Sequence, residues 1–161
     1  MSFSSSNKKH QKSLTPKEAK LKAAHYCAYQ ERSQKEVRNK LYNYGLYKDE
    51  IEEIISELIL EGYINEERFA RAYVGGKFRI KKWGRIKIMQ GLKQHDISNY
   101  CVNKGFEEID DEEYLNTLQN LIEKKTSELD TSEDHLFKRK LASYLTQKGF
   151  EPQLIWEMLN I

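Results

Sequence analysis

The sequence has few of the residues that mark membrane-spanning or disulfide-rich proteins. Only two cysteines and two prolines occur among its 161 residues, and its longest aliphatic run is Leu58-Ile59-Leu60. A helix that crosses a bilayer needs roughly 20 apolar residues, so no transmembrane segment is predicted. The Ser- and Lys-containing N-terminus also has no apolar stretch of the kind found in secretory signals. We therefore expect a cytoplasmic protein.

The cysteines and histidines do not form a recognised cofactor motif. Cys27 and Cys101 lack CxxC spacing, which predicts reduced, partly buried thiols. A zinc site from His25 and Cys27 with His95 and Cys101 is conceivable, but it matches no zinc motif, so no cofactor is expected. Walker A, GxGxxG, HExxH and GxSxG motifs are also missing. We predict a protein that is not an enzyme; a metal-dependent nuclease using the acids of 107–113 is the disfavoured alternative.

Helix-capping patterns predict a chain that is helical nearly throughout. Thr15-Pro16-Lys17-Glu18 and Ser33-Gln34-Lys35-Glu36 both have a hydroxyl residue three positions before a glutamate, the spacing of a capping box. The proline also suits the first helical position. Gly62 is predicted to end the helix that carries Ile51 to Ile59. Further starts are predicted at Asn65, Gly84, Ser98, Asp110–Asp111, Ser132 and Pro152.

An apolar pattern recurs three times along the sequence. Val37, Leu41, Leu46 and Ile51 recur as Ile88, Leu92, Ile97 and Val102, and again as Leu141, Leu145, Phe150 and Ile155. A unit of roughly fifty residues buries little surface alone, so neighbouring copies are expected to share a core. The predicted fold class is all-α, with three tandem three-helix repeats in an elongated, curved array. The predicted division is 1–14 as a disordered basic tail, and 15–64, 65–110 and 111–161 as the repeats.

Charge is strongly segregated along the chain. Nine basic residues and no acid lie between Arg68 and Lys93, and the flanking segments 48–67 and 107–134 are acidic. This layout predicts one anion-binding surface in the middle repeat. On a continuous helix, Arg68, Arg71, Arg79 and Lys82 fall within about 80° of arc. Trp83 is a candidate for stacking or for a partner pocket, whereas core positions are predicted for Tyr73, Tyr144 and Trp156.

The same basic segment carries a resemblance to a known family. Gly62-Tyr63-Ile64-Asn65 followed by Glu67-Arg68-Phe69-Ala70 and Tyr73, and then Lys82-Trp83-Gly84 with Ile88 and Leu92, resembles the RecX family of bacterial regulators of the RecA recombinase. The resemblance extends more weakly from about Lys17 through all three repeats. One departure is that many relatives have Gly-Pro where this chain has Gly84-Arg85.

The resemblance implies a non-enzymatic modulator that binds the RecA–DNA filament in its groove and limits recombinase and coprotease activity. Phe69, Tyr73 and Ile88 would then pack, and Gly84 would start a helix or turn. The predicted contacts with RecA or DNA are Arg68, Arg71, Arg79, Lys81, Lys82, Arg85 and Lys87. DNA contact, single- or double-stranded, is expected to be secondary, and the protein is expected to be a monomer. The alternative is a free-standing helical-repeat protein that binds nucleic acid itself.

Overall fold

The described part of the chain, residues 13–129 and 133–160 of a computed structural model, is built of helices without strands. The all-α prediction is therefore confirmed. The first group of helices is α1 (Pro16–Tyr29), α2 (Gln34–Asn43) and α3 (Lys48–Leu60). The second is α4 (Glu66–Arg79), α5 (Arg85–Gln94) and α6 (Asn99–Phe106). The third is α7 (Asp111–Glu128), α8 (Asp134–Gln147) and α9 (Pro152–Leu159).

The helix starts follow the capping patterns in the sequence. The hydroxyl oxygens of Thr15 and Ser33 accept from the amides of Glu18 and Glu36 at 3.3 and 3.1 Å, and each glutamate accepts from the cap amide in return. The predicted starts at Gly84, Ser98, Asp110 and Pro152 are also confirmed. The start predicted at Ser132 lies outside the described residues.

The three-fold repeat is visible in the turns that end α2, α5 and α8. Each helix is followed by a residue in the left-handed region: Gly45, Asp96 and Gly149, with φ of 84°, 56° and 98°. A buried residue comes next, Leu46, Ile97 or Phe150, and its amide donates back to a leucine carbonyl five residues earlier. This is the hydrogen bond of a Schellman motif. All twelve apolar positions of the repeat are buried, so the predicted repeat is confirmed.

The chain divides into two compact units, Met1–Asn65 and Glu66–Ile161. In the first, α1 to α3 enclose one apolar cluster around Leu41, Ile51 and Leu58. In the second, α4 to α9 contribute to a single cluster, in which side chains such as Phe78 of the second helix group and Phe150 of the third are both buried. The second and third groups therefore fold around one core, and the division at residues 64 and 110 stays a prediction.

Some positions differ from the sequence expectation. Trp156 is 54% exposed, so its predicted core position is wrong: α9 buries the face of Ile155 and Leu159, and Trp156 points about 100° away from Ile155. Tyr73 and Tyr144 are half-buried against the core. The predicted tail lies outside the described residues except for Ser13 and Leu14, and the Leu14 amide donates to the Tyr44 carbonyl at 3.0 Å. None of the described helices could cross a membrane, since none is both long and apolar enough.

Candidate partner-binding surface

The basic residues predicted to bind a partner lie on α4, on α5 and on the turn that joins them. Arg68 is exposed near the start of α4. The helix ends at Arg79, and Lys82 follows in a left-handed conformation with a φ of 57°. Because the chain turns there, Lys82 does not continue the helical ridge of Arg68, Arg71 and Arg79. The expectation of four cations along one continuous helix is therefore wrong at Lys82.

Arg71 is surrounded by carboxylates. Its guanidinium donates to Glu107 at 3.0 Å, to Glu108 at 3.3 Å and to Glu67 at 3.4 Å. The hydrogen bond from Arg71, with a second from Lys104, holds the pKa of Glu107 below its ordinary value. The same carboxylates raise the pKa of Arg71, with Glu107 first. This cation is thus matched within the fold by acids that lie 36 and 37 positions later in the sequence.

Arg79 also meets the acidic segment that follows α6. It donates to the backbone carbonyl of Glu108 at 2.9 Å, and the carboxylates of Glu108 and Glu113 each lie 3.9 Å from its guanidinium. A side chain anchored at a backbone carbonyl in this way helps to hold the α6–α7 connection against α4. The acidic segment 107–113 therefore neutralises neighbouring arginines. A cluster of acids that faced only solvent would not make these ion pairs.

Arg85 starts α5 and belongs to a network with Tyr114. Its guanidinium bonds Asp111 at 2.6 Å and lies 3.9 Å from the centre of the Tyr114 ring. Its backbone amide donates to the Tyr114 hydroxyl at 3.1 Å, and that hydroxyl donates to Glu151 at 2.8 Å. The pKa of Tyr114 is raised, and burial of its hydroxyl is the largest cause. A proline at position 85 would lack the amide that makes this contact, which gives the departure from Gly-Pro a structural role.

Lysines gather on another part of the second unit. The Lys148 ammonium, at the end of α8, donates to the Lys81 carbonyl at 2.7 Å. The pKa of Lys148 is lowered by burial and then by the positive charges of Lys87, Lys124 and Lys81. We call Lys81, Lys87, Lys124 and Lys148 the lysine cluster. Its members come from the α4–α5 turn, α5, α7 and the end of α8.

Trp83 borders the lysine cluster and is already in contact with cations. The ammonium groups of Lys87 and Lys77 lie 4.4 and 4.8 Å from its ring centre, within the range of cation–π attraction. The ring is half-buried and packs against the core of the second unit. Its surroundings therefore favour a role in holding lysine side chains in place over a role as an open stacking platform.

Lys81 and Lys87 were predicted from the sequence as contact residues, whereas Lys124 and Lys148 were not. Lys124 lies in the acid-rich segment 107–134, and Lys148 lies in the last predicted repeat, so local charge counting hid both. The repeat gave no signal either, because the residues equivalent to Lys148 in the first two repeats are Tyr44 and His95. Among the described residues, no group of histidine, cysteine or acidic side chains has the arrangement of a metal site.

These helices define a class, the all-α proteins built from tandem three-helix units, here with an unevenly charged surface on the second unit. Three family models match in order: the first three-helix domain of RecX at residues 19–58, the second at 65–105 and the third at 111–159. The chain belongs to the RecX family.

Known relatives agree with this assignment. A protein named regulatory protein RecX from Clostridium acetobutylicum is 30% identical over 146 residues, which cover 88% of this chain and 67% of that protein. A protein of the same name from Lactobacillus johnsonii is 29% identical over 132 residues, 82% of this chain and 49% of that protein. The chain therefore spans about half the length of several relatives that it matches.

Solved structures share the fold. The crystal structure of RecX from Lactobacillus salivarius superposes with a TM-score of 0.76 at 25% identity, covering 90% of this chain and 94% of that one. A second RecX crystal structure gives a TM-score of 0.80 at 21% identity over 90% of this chain and 72% of that one, and it supports the fold alone.

Proposed function

We propose that this chain is a negative modulator of RecA that binds the RecA–DNA filament and limits its recombinase and coprotease activity in the regulation of DNA repair. The observation that carries the proposal is the match to all three RecX domains in order along one chain. A basic segment free of acids from Arg68 to Lys93 adds a surface suited to an anionic assembly.

In this proposal the protein acts by binding and not by covalent chemistry. The proposed contact residues are Arg68, Arg71, Arg79, Lys81, Lys82, Arg85 and Lys87. Three of these, Arg71, Arg79 and Arg85, already bond carboxylates or a carbonyl of the α6–α7 region. In this proposal they shape the surface as well as contacting the partner. Lys81 and Lys82 are exposed in the turn after α4, where a partner can reach both.

The direct experiment measures ATP hydrolysis by RecA filaments preformed on single-stranded DNA while this protein is titrated. Binding of the protein to the same DNA is measured in parallel without RecA. We expect inhibition at concentrations well below those that coat bare DNA. Inhibition that appears only when the DNA is saturated would contradict filament modulation, because competition for DNA would then account for it.

A charge reversal at Lys81 and Lys82 tests the proposed surface. The double variant Lys81→Glu with Lys82→Glu is expected to weaken inhibition of the RecA ATPase at least about tenfold, since two attractive contacts with an anionic partner become like-charge repulsions. Arg79→Glu is less informative, because it would place a third carboxylate beside Glu108 and Glu113.

The matched control for that variant changes charge equally in the first unit. Lys17 and Lys48 lie in the first turns of α1 and α3 and are exposed. Glutamate is favourable at such positions because of the helix dipole. Lys17→Glu with Lys48→Glu is expected to leave inhibition unchanged, and an equal loss in both double variants would show that net charge, not the proposed surface, controls binding.

The second candidate function is a free-standing nucleic-acid-binding protein, and the lysine cluster is the observation that favours it. Neutralising six phosphates of a single strand gives a slope of roughly −4 for log K against log salt. A filament contact shared with RecA is expected to give a shallower slope. A steep slope together with inhibition only at saturating DNA would favour the second candidate.

A further inference from the structure

We propose that the lysine cluster is the surface that contacts the phosphodiester backbone of nucleic acid, and that the second and third helix groups build it together. The proposal rests on the proposed function in one respect, since the DNA of a RecA filament would supply the phosphates. It goes further by assigning the contact to Lys124 and Lys148, which lie outside the basic segment of the sequence.

The first argument is the separation of charges on the second unit. Arg71, Arg79 and Arg85 are matched by acids of the 107–113 segment and by Glu151. At the lysine cluster, in contrast, the Lys148 ammonium bonds the Lys81 carbonyl at 2.7 Å. Helix α7 passes the end of α8 there, because the Lys125 ammonium lies 4.6 Å from the centre of the Tyr144 ring. Burial lowers the pKa of Lys148, and the positive charges of Lys87, Lys124 and Lys81 all lower it further. Folding thus places the acids beside the arginines and leaves Lys148 in the field of other lysines, at a cost in like-charge repulsion. An anion bound there would relieve that repulsion.

The second argument is that the cluster is held in place by packing. The Lys148 ammonium uses one of its three protons on the Lys81 carbonyl. Lys87 is fixed over Trp83 at 4.4 Å, and its backbone lies so close to Gly149 that a methyl group there would overlap the Lys87 Cβ. Two backbone bonds, Gly84 N–H to the Lys148 carbonyl at 2.8 Å and Ile86 N–H to the Gly149 carbonyl at 3.0 Å, lock the two turns together.

The third argument comes from a groove beside the cluster. A cavity of about 270 Å³ opens between α5 and the α8–α9 turn. Its lining has Lys87 and the neutral polar side chains of Gln90, Thr146 and Gln147, and no acid. Amides and hydroxyls next to ammonium groups are the donors that commonly contact phosphate and sugar. The groove therefore extends the cluster with neutral hydrogen-bonding groups.

These features favour nucleic acid over an acidic protein surface as the occupant. A nucleic acid strand presents one negative charge per residue and has no cationic groups of its own, with a charge about every 3.4 Å along a duplex strand. Lysine serves as a flexible point charge for phosphate, whereas planar carboxylates are matched best by arginine forks. Because the Trp83 ring already contacts Lys77 and Lys87, we expect contact with the backbone and little base preference.

The test measures binding to a labelled 30-nucleotide oligothymidylate by fluorescence anisotropy at several salt concentrations. Lys124→Gln with Lys148→Gln is the test variant, because glutamine removes each charge and keeps a flexible polar side chain with an amide donor. We expect at least about a tenfold loss of affinity at 0.1 M salt and a salt slope shallower by about 1.4, the value for two lost phosphate contacts. Lys148→Arg is expected to retain most of the binding.

The control is Lys17→Gln with Lys48→Gln, which removes the same charge from the first unit and is expected to leave affinity and slope unchanged. Circular dichroism melts verify that each variant is folded. Unchanged binding by the test variant, or an equal loss in the control, would overturn the assignment. Tighter binding of polyglutamate than of the oligonucleotide at the same salt would also overturn it, in favour of an acidic protein partner.

The RecA ATPase assay separates this inference from the proposed function. If the unmodified protein binds the oligonucleotide through the cluster but does not affect RecA, the proposed function fails and the phosphate site stands. If it inhibits RecA and the test variant still binds the oligonucleotide normally, the phosphate site fails and the proposed function stands.

Discussion

At the residue scale, long-range ion pairs determine which cations of the basic segment are already matched by acids within the fold. Sequence counting finds nine cations without an acid from Arg68 to Lys93. The fold brings Glu107 and Glu108 to Arg71 and Asp111 to Arg85. These partners are 26 to 37 positions apart, so no local pattern could reveal them. The surface open to a partner is consequently narrower than the basic segment and richer in lysine.

The Glu107–Arg71 contact predicts a pH dependence. Its hydrogen bonds hold the folded-state pKa of Glu107 below the ordinary value of 4.5. The contribution to stability is therefore fully present above the unfolded pKa and is lost as pH falls through the lowered folded pKa. We expect Glu107→Gln to lower the urea midpoint at pH 7 and to match the unmodified protein more closely at pH 3.

Glu53→Gln is the control for this prediction. Glu53 is exposed on α3, and among the described residues it has no ion pair. Its substitution is expected to leave the difference between the two pH values unchanged. A constant deficit for Glu107→Gln at both pH values would contradict the assigned role of its charge.

At the scale of helices, local signals in the sequence predict starts and stops well. Thr15 and Ser33 satisfy amides within three residues, so their capping boxes are visible in the sequence alone. The start of α5 is different, because Gly84 makes no side-chain cap and its amide instead bonds the Lys148 carbonyl. The position of Gly84 as a helix start could be predicted, but its partner, 64 residues away, could not.

The close approach of the two turns predicts that Gly84 tolerates no side chain. An added methyl group would overlap the carbonyl carbon of Gly149. Backbone atoms on both sides resist displacement, so Gly84→Ala is expected to destabilise the second unit by about 2–3 kcal/mol, measured by urea denaturation.

Gly76→Ala is expected to have the opposite effect on the stability of the same unit. Gly76 lies inside α4, and a methyl group there would meet nothing within 4 Å. Alanine is favoured over glycine in a helix interior by about 1 kcal/mol, so this variant is expected to stabilise. Similar effects of the two substitutions would contradict the close packing at Gly84.

At the scale of the whole molecule, the repeat in the sequence and the compact units in the structure are not the same division. The apolar pattern repeats three times, yet the described residues enclose two apolar clusters. A repeat pattern identifies which residues are buried. It does not identify which copies share a core, because that depends on contacts between distant residues. The Tyr114 ring centre, for example, lies 5.8 Å from that of Phe78 and 5.2 Å from that of Phe150.

The shared core predicts how fragments fold. A fragment of residues 66–161 retains the complete apolar cluster of α4 to α9, and we expect a helical circular dichroism spectrum with one cooperative melt. A fragment of residues 66–110 lacks Tyr114, Leu141, Leu145 and Phe150, so core side chains that pack against these residues, such as Phe78, lose part of their cover. It is expected to be largely unfolded, and a cooperative melt at the temperature of the longer fragment would contradict a shared core.

The first turn of α5 also offers a way to observe the joining of the two helix groups. First-turn amides of a helix have no intrahelical partner and ordinarily exchange quickly with solvent. Here the amides of Gly84, Arg85 and Ile86 donate to Lys148, to Tyr114 and to Gly149 respectively. The deuterium-exchange rates of these three consecutive amides therefore report whether the second and third groups are packed against each other. Slow exchange at this helix start would measure how rarely the two groups separate.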